Sequence, residues 1–312
     1  MTTGRYIIRT VTGDVPAESV GVILPHEHIH VDASGIKKDP DARLTSAPLA
    51  VQELRQYAAL GGDVVVEVTP RGHGRHPQLL FEISVQTGLR IVCATGFYFG
   101  LYLPWEAYNL SVDELEELFV EELTVGIEGT TVRAGVIGEI GTSGTVMPAE
   151  RRIFQAAARA QRRVGCGIIT HTQFGRDALE QIEMLADAGA NLSQVAVSHM
   201  DLYPDLAYHK EVAATGVFLA YDNVGRVDYR PDEDRLRLVL AMLEAGFGDQ
   251  LLLSQDVSRL SHLTRARGHG YGHLLRNFVP RLRECGVDDA TIRRLLVDNP
   301  RRLLQMPAGD PV

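Results

Sequence analysis

Cysteine is scarce in this chain of 312 residues. Cys93, Cys166 and Cys285 are far apart and odd in number, which speaks against a disulfide framework, and the first two lie inside apolar runs where they read as buried thiols. Lysine is scarce too: Lys37, Lys38 and Lys210 are the whole complement. No apolar run approaches the length of a membrane span, and Met1 to Arg5 lead into no signal-peptide core. A cytoplasmic location is therefore expected, with no membrane partner. Positive charge is outweighed, at a net −9, which argues against nucleic acid as a partner. Also missing are a linker, a low-complexity tract and any shift of composition, so residues 1–312 are expected to form one domain.

What the chain does have is enough apolar residue, 45%, to bury a sizeable core. Short β-rich runs alternate with helical patterns. Strands are predicted over 20–28, 63–69, 89–96, 132–140, 166–171, 194–199, 216–222 and 250–256. Helices are predicted over 48–60, 112–123, 149–164, 177–188 and 234–245, each with apolar residues at i, i+3 and i+4. Ser111 and Glu114 have the spacing of a capping box, and Pro148 suits a first helical turn. A closing helix is expected over 287–305, capped by Asp288 or Asp289 and interrupted at Asn299-Pro300. Strands alternating with helices imply a parallel sheet. Eight such units in this length fit an α/β fold of the (β/α)8 TIM-barrel type, with its active site at the C-terminal strand ends.

Several of those strand ends are polar. The first strand runs Val22-Ile23-Leu24-Pro25-His26-Glu27-His28-Ile29-His30. Residues i and i+2 of a strand face one side, so His26 and His28 can bind one metal ion together; His28 and His30 satisfy the same rule. The fourth strand ends at Glu139, the fifth at His171, the sixth at His199 and the eighth at Asp256. One βα unit separates the first three of these from each other, and two separate His199 from Asp256. A single buried polar strand end can be a satisfied core residue. Four in phase with the fold, joined by a His-x-His, point to a metal site on the catalytic face of a barrel.

In their order and spacing, Pro25-His26-Glu27-His28, Ala94-Thr95-Gly96-Phe97-Tyr98, Gly138-Glu139-Ile140-Gly141, Thr170-His171-Thr172, Ser198-His199-Met200-Asp201, Ser254-Gln255-Asp256 and Gly268-His269-Gly270-Tyr271-Gly272-His273 resemble the phosphotriesterase-related family of the amidohydrolase superfamily, over nearly the whole chain. The resemblance implies a binuclear site of two divalent ions, usually Zn²⁺. His26, His28 and Asp256 would hold the more buried ion, His171 and His199 the more exposed one, and Glu139 would bridge them. It also favours the His26–His28 register. The best-known members bridge with a carboxylated lysine. Here none of the three lysines lies at a strand end, so Glu139 is expected to bridge directly, as in some branches of the family. Substrate preferences are therefore not carried over from the lysine branch.

Two divalent ions sharing a water hold a metal-bridging hydroxide ready as nucleophile. Asp256 is the expected catalytic group that takes its proton and passes it to the leaving group. Tyr98 either donates a hydrogen bond at the reacting atoms or is an aromatic of the pocket wall. Substrate contacts are expected from Tyr98 and Trp105 after the third strand, Arg226 after the seventh, and His262 and Arg265 after the eighth. That last loop has no Asp or Glu from Val257 to Arg283. Its plainer reading is a solvated basic face, with His262, His269 and His273 packing the loop. The leading reading is a zinc-dependent hydrolase of a carboxylic ester, lactone or amide, with a phosphotriester hydrolase as the alternative. A mononuclear deaminase and a non-catalytic metal- or ligand-binding barrel are the competing classes. Besides a small-molecule substrate, the expected partner is a second copy of the chain in a homodimer.

Overall fold

Apolar side chains that alternate in direction give each strand two buried faces, and a sheet buried on both faces must close or be covered. The computed structural model describes residues 6–309. In it the strands Val22–Glu27, Gly62–Glu67, Arg90–Thr95, Val136–Gly141, Gly167–His171, Val195–Val197, Phe218–Tyr221 and Leu251–Leu253 lie side by side in chain order, each parallel to the next. With the helices between them they form a (β/α)8 TIM barrel. The eighth strand meets the first just beyond its regular ladder: the Asp256 N–H donates to the His26 carbonyl at 3.3 Å, and the His28 N–H donates to the Val257 carbonyl at 3.2 Å.

The two faces are separate cores. Ile23, Val64, Val66, Val92, Ala94, Val136, Ile169, Ala196, Phe218, Ala220 and Leu252 fill the barrel interior. Their neighbours Leu24, Val65, Ile91, Cys93, Ile137, Ile168, Val197, Leu219 and Leu253 pack outward against the helices. All eight predicted strands and all five predicted helices are present within a few residues of their expected ends. Ser111 makes both bonds of its capping box with Glu114, Pro148 opens the helix Pro148–Val164, and Asp288 caps the helix that starts at Asp289.

Three features differ from the sequence reading. The helices Pro77–Thr87, which stops at Gly88, and Leu206–Ala214 complete the barrel outside the five helical ranges given above. The strands Tyr6–Thr10 and Gly13–Pro16 pair with each other and with Met306–Pro307 as a small antiparallel sheet. Ile8 of this sheet joins Leu303 and Leu304 in the interior core, at the end of the barrel away from the polar strand ends. The closing helix is not interrupted at Asn299-Pro300. Residues Arg294–Asp298 form a π-turn between Asp289–Arg293 and Asn299–Leu304, and a wider turn accommodates a proline that has no N–H for the regular bond. Asn299 is meanwhile held by the Gly248 and Leu251 carbonyls, both at 2.8 Å. Among the described residues no helix is long and apolar enough to cross a membrane.

Candidate metal centre

Regular alternation alone would not bring the polar groups together. In the first strand Ile23 faces the interior and Leu24 the helices, and a register shift between Leu24 and Glu27 then turns His26 inward. A shift between Ile137 and Ile140 does the same for Glu139. The neighbouring Gly138 (φ +147°) has no room for a side chain, since a Cβ there would lie 2.5 Å from the Ile169 carbonyl oxygen. His199 and Asp256 adopt left-handed backbone, at φ 61° and 46°. That conformation costs a non-glycine residue about 1–3 kcal/mol and persists where the surroundings over-determine it. His171 alone follows from plain alternation, two residues after the inward Ile169.

The result is two converging sets of ligand atoms. Those of His26, His28 and Asp256 lie within 4.8 Å of one another, as do those of Glu139, His171 and His199. Glu139 faces both sets. Its Oε1 is 2.6 Å from His171 Nδ1, 3.2 Å from His199 Nε2 and 3.6 Å from His26 Nε2, while Oε2 is 4.0 Å from His28 Nε2. His28 Nε2 also lies 3.4 Å from Asp256 Oδ1. His30 is elsewhere: its Nδ1 is bonded to the Gly74 carbonyl at 2.6 Å, so the register is His26 with His28.

The other ring nitrogens are committed. His26 Nδ1 pairs with Ser198 Oγ at 3.0 Å, His28 Nδ1 with Thr69 Oγ1 at 2.8 Å, and His199 Nδ1 with Asp222 Oδ1 at 2.8 Å. These bonds fix the rings and leave the Nε2 atoms for a ligand. His26 Nε2 is buried with no hydrogen-bond partner at all. An orphaned imidazole nitrogen beside carboxylates is the donor set of a divalent transition-metal site, and these residues fit two such ions. A third grouping, His26, His199 and Asp222, uses nitrogens already bonded, so Asp222 orients the rings rather than completing a site.

The field in the centre favours positive charge. Burial works against ionised Glu139, yet the charges of His171 and hydrogen bonds from His171 and His199 hold it well below the usual carboxylate range. Burial likewise opposes ionised Asp256, and the Arg226 guanidinium, then His28, hold it low. Against the same burial, Asp222 raises the basicity of His199 well above normal, while Asp256 raises that of His28. Protons and metal ions therefore compete for these nitrogens, and metal binding releases protons.

Above the centre opens a cavity of about 230 Å³, with His28, Glu139, His171, His199 and Asp256 on its floor. Tyr98 lines it, with its hydroxyl 3.1 Å from His171 Nδ1, and Phe99 stacks on the His171 ring at 4.8 Å. Burial raises the Tyr98 pKa well above normal, so the hydroxyl stays a donor. Arg226 also lines the cavity, but its guanidinium is bonded to Asp256 and stacked on Tyr229. Three expected substrate contacts are not among the residues that line the cavity. Trp105 is 77% exposed and lies outside the cavity, because the turn Trp105–Tyr108 carries it outward. Arg265 is exposed in a turn whose backbone is tied to Glu53. His262 is buried within the eighth loop, accepting the Ser258 N–H at 3.2 Å. His273 is paired with Asp232 at 2.7 Å, so the loop histidines are packing groups.

Sequence reasoning missed the groups behind the ligands. Asp222 ends the seventh strand's predicted range, 216–222, and holds His199 from behind. Glu27 accepts from Ser254 Oγ and from the Gln255 and Val257 N–H groups, each at 2.8 Å, and burial raises its pKa to about 8. Glu67 accepts from the backbone of Ile29, His30 and Thr69. The signal for Glu27 was its place between the two histidines, on the opposite face of the strand.

A model of the phosphotriesterase family matches residues 7–304. The phosphotriesterase homology protein of Escherichia coli is 37% identical over 92% of this chain and 99% of its own length. Its crystal structure, with phosphate in the active site, superposes with a TM-score of 0.89 over 91% of this chain and 98% of that one. N-acetyltaurine hydrolase of Danio rerio is 30% identical over 96% of this chain and 98% of its own. A lactonase from Listeria monocytogenes is 31% identical, with a TM-score of 0.90 over 96% of this chain and 98% of that one.

Proposed function

The chain belongs to the phosphotriesterase family, a family of hydrolases, and on that premise we propose that it uses two divalent ions, zinc by preference, to hydrolyse a carboxylic ester, lactone or amide. One observation carries the reading: a single carboxylate, Glu139, is directed at four imidazoles from two separate ligand sets. His26, His28 and Asp256 would hold one ion and His171 and His199 the other, with Glu139 between them. When bound, such ions acidify a water towards neutrality and polarise the attacked oxygen. The chain's own residues do the rest. Asp256, kept ionised by Arg226, accepts a proton at its carboxylate and returns it to the leaving group. Tyr98 donates a hydrogen bond into the cavity beside His171, and Phe99 holds that ring flat against its face.

The names of the relatives, an amide hydrolase and a lactonase, favour a carbonyl centre over a phosphotriester, which is the second reading. A non-catalytic barrel would need Asp256 only as a ligand and not as a carrier of protons, so loss of turnover with metal retained in Asp256→Asn separates the two. Metal analysis of the purified protein should approach two ions per chain, and Asp256→Asn should abolish turnover while keeping most of the metal. Full activity with one ion per chain would overturn the binuclear reading. The single domain and the homodimer belong to the same proposal; cooperative unfolding and the molar mass in solution test them.

A further inference from the structure

Three cations line the cavity: Lys37, Arg226 and Arg259. Two of them are committed. Arg226 is bonded to Asp256, and Arg259 Nη1 lies 2.5 Å from Asp39 and 3.6 Å from Asp41. Lys37 has no carboxylate within ion-pair distance among the described residues, and its ammonium sits 6.0 Å above the ring of Tyr102 on the cavity wall. The residue is exposed along its length at the mouth, yet enough protein surrounds the ammonium that burial lowers its basicity, even with Asp256 and Glu139 acting the other way. A cation that lines the cavity with no carboxylate in ion-pair range is available to an anionic ligand there.

The backbone that presents Lys37 is fixed. Asp32 accepts from the Ser34 hydroxyl at 2.6 Å and from its N–H at 3.1 Å, and Ala33 N–H donates to the Ala42 carbonyl at 3.0 Å. The Arg259–Asp39 pair fastens the far side of the same loop to the loop after the eighth strand. A rigid loop thus delivers a free ammonium to the cavity whose floor is the candidate metal centre. The acid-free eighth loop suggests an anionic substrate from composition, but its exposed Arg265 does not reach the cavity; the free cation comes from the first loop instead.

We propose that Lys37 anchors an oxyanionic group, a sulfonate or a carboxylate, on a substrate whose scissile carbonyl lies at the metal centre, so that the enzyme selects anionic acyl amides or esters over neutral ones. This rests on the hydrolase reading above. The test uses substrates of one chain length: N-acetyltaurine, N-acetyl-β-alanine and the neutral 3-acetamidopropanamide, with metal content matched between proteins. In Lys37→Met the ratio of kcat/KM for the anionic substrates to that for the neutral one should fall at least tenfold, through KM. It should stay within twofold in Lys210→Met, and Lys37→Arg should recover most of it. The wild-type KM for the anions should rise with salt, and that dependence should flatten in Lys37→Met. Preference for sulfonate or for carboxylate supports the anchor either way and identifies its anion. An unchanged ratio in Lys37→Met overturns it. Should the wild type cleave none of the three, the amide form of the proposed reaction fails separately. Calorimetric binding of butane-1-sulfonate then decides the anchor: weaker binding in Lys37→Met sustains it, and equal binding overturns it.

Discussion

His26, His28 and Asp256 meet on the seam where the first and eighth strands close, whereas Glu139, His171 and His199 stand on three consecutive strands beside the pocket wall. The seam set is fastened to the fold itself. Backbone bonds cross it at 3.2 and 3.3 Å, Glu27 ties the eighth strand's end to the first strand, and Thr69 and Ser198 hold the rings. The second set is fastened on one side only. Asp222 holds His199 from behind, but His171 has Phe99 stacked on its ring and Tyr98 reaching the same Nδ1 that faces Glu139, and both of these are parts of the pocket. Half of the centre is therefore part of the barrel's closure, and half is part of its substrate cavity. Glu139 joins them.

The largest expected effect comes from cutting that join. Glu139→Ala removes the carboxylate directed at the free nitrogens of both sets and should lose metal from both, with activity falling well beyond the ~10–100-fold typical of losing an outer partner such as Thr69. Glu139→Gln keeps the shape but not the charge, and should lose the ion held by His171 and His199 while retaining the other. Metal analysis of both variants checks this; equal loss in the two would mean that charge is irrelevant to the bridge. A smaller effect separates the halves in the wild type. Stepwise chelation should remove one ion per chain well before the second, and the Phe99→Ala variant, which frees the His171 ring, should hasten only the first. Loss of both ions in a single phase would break the contrast between seam and pocket.

How much of this was legible in the sequence follows from the same contrast. Alternation and helical periodicity located all eight strands, because apolar period is a local property. The candidate ligands were found by their phase along the chain and by family resemblance, not by alternation. Three of the strands that carry them, and the stretch before Asp256, break the period just where the ligands occur, through register shifts at Leu24–Glu27 and Ile137–Ile140 and left-handed backbone at His199 and Asp256. The roles of Arg226 and Lys37 depend on who is paired with whom across loops distant in sequence. Composition shows that the eighth loop is basic; it cannot show that Arg265 points away while Lys37, far upstream, stands free over the cavity. The sheet formed by Tyr6–Thr10 was hidden for a similar reason, since Arg9 is buried against Asp14 in a strand that reads as mixed.

The histidines extend the comparison to pH. In the centre, Asp222 and Asp256 raise the basicity of His199 and His28. In the eighth loop, burial lowers His262 to about 4 and His269 to about 3, with neighbouring cationic groups acting the same way. Unfolded, these loop residues take up protons near ~6.5. The unfolded state therefore binds more protons below that pH, so their contribution is fully present above it and is lost as pH falls towards 4 and 3. In metal-free protein, His262→Phe should reduce the stability lost between pH 7 and 5 by about 2 kcal/mol, read from urea midpoints at the two pH values. An unchanged loss would mean that His262 is protonated in the folded loop.

The smallest expected effect is none, and it bears on the join again. Where a bridging carboxylate is made by carboxylating a lysine, assembly of the centre consumes CO₂, and bicarbonate speeds the return of activity to metal-free protein. Here the position facing all four imidazoles is Glu139, held ionised by His171 and His199, and no lysine stands at a strand end. Lys37 is the nearest candidate by its place in the cavity, but its ammonium lies over Tyr102 at the mouth, not among the ligands. Adding Zn²⁺ to metal-free protein should therefore restore activity at the same rate in CO₂-depleted buffer as in bicarbonate. Lys37→Met should also reload at the wild-type rate, which separates its proposed anchoring role from any part in building the centre. A bicarbonate requirement in the wild type that disappears in Lys37→Met would turn Lys37 from an anchor into a bridge, and Glu139 would lose its place between the two halves.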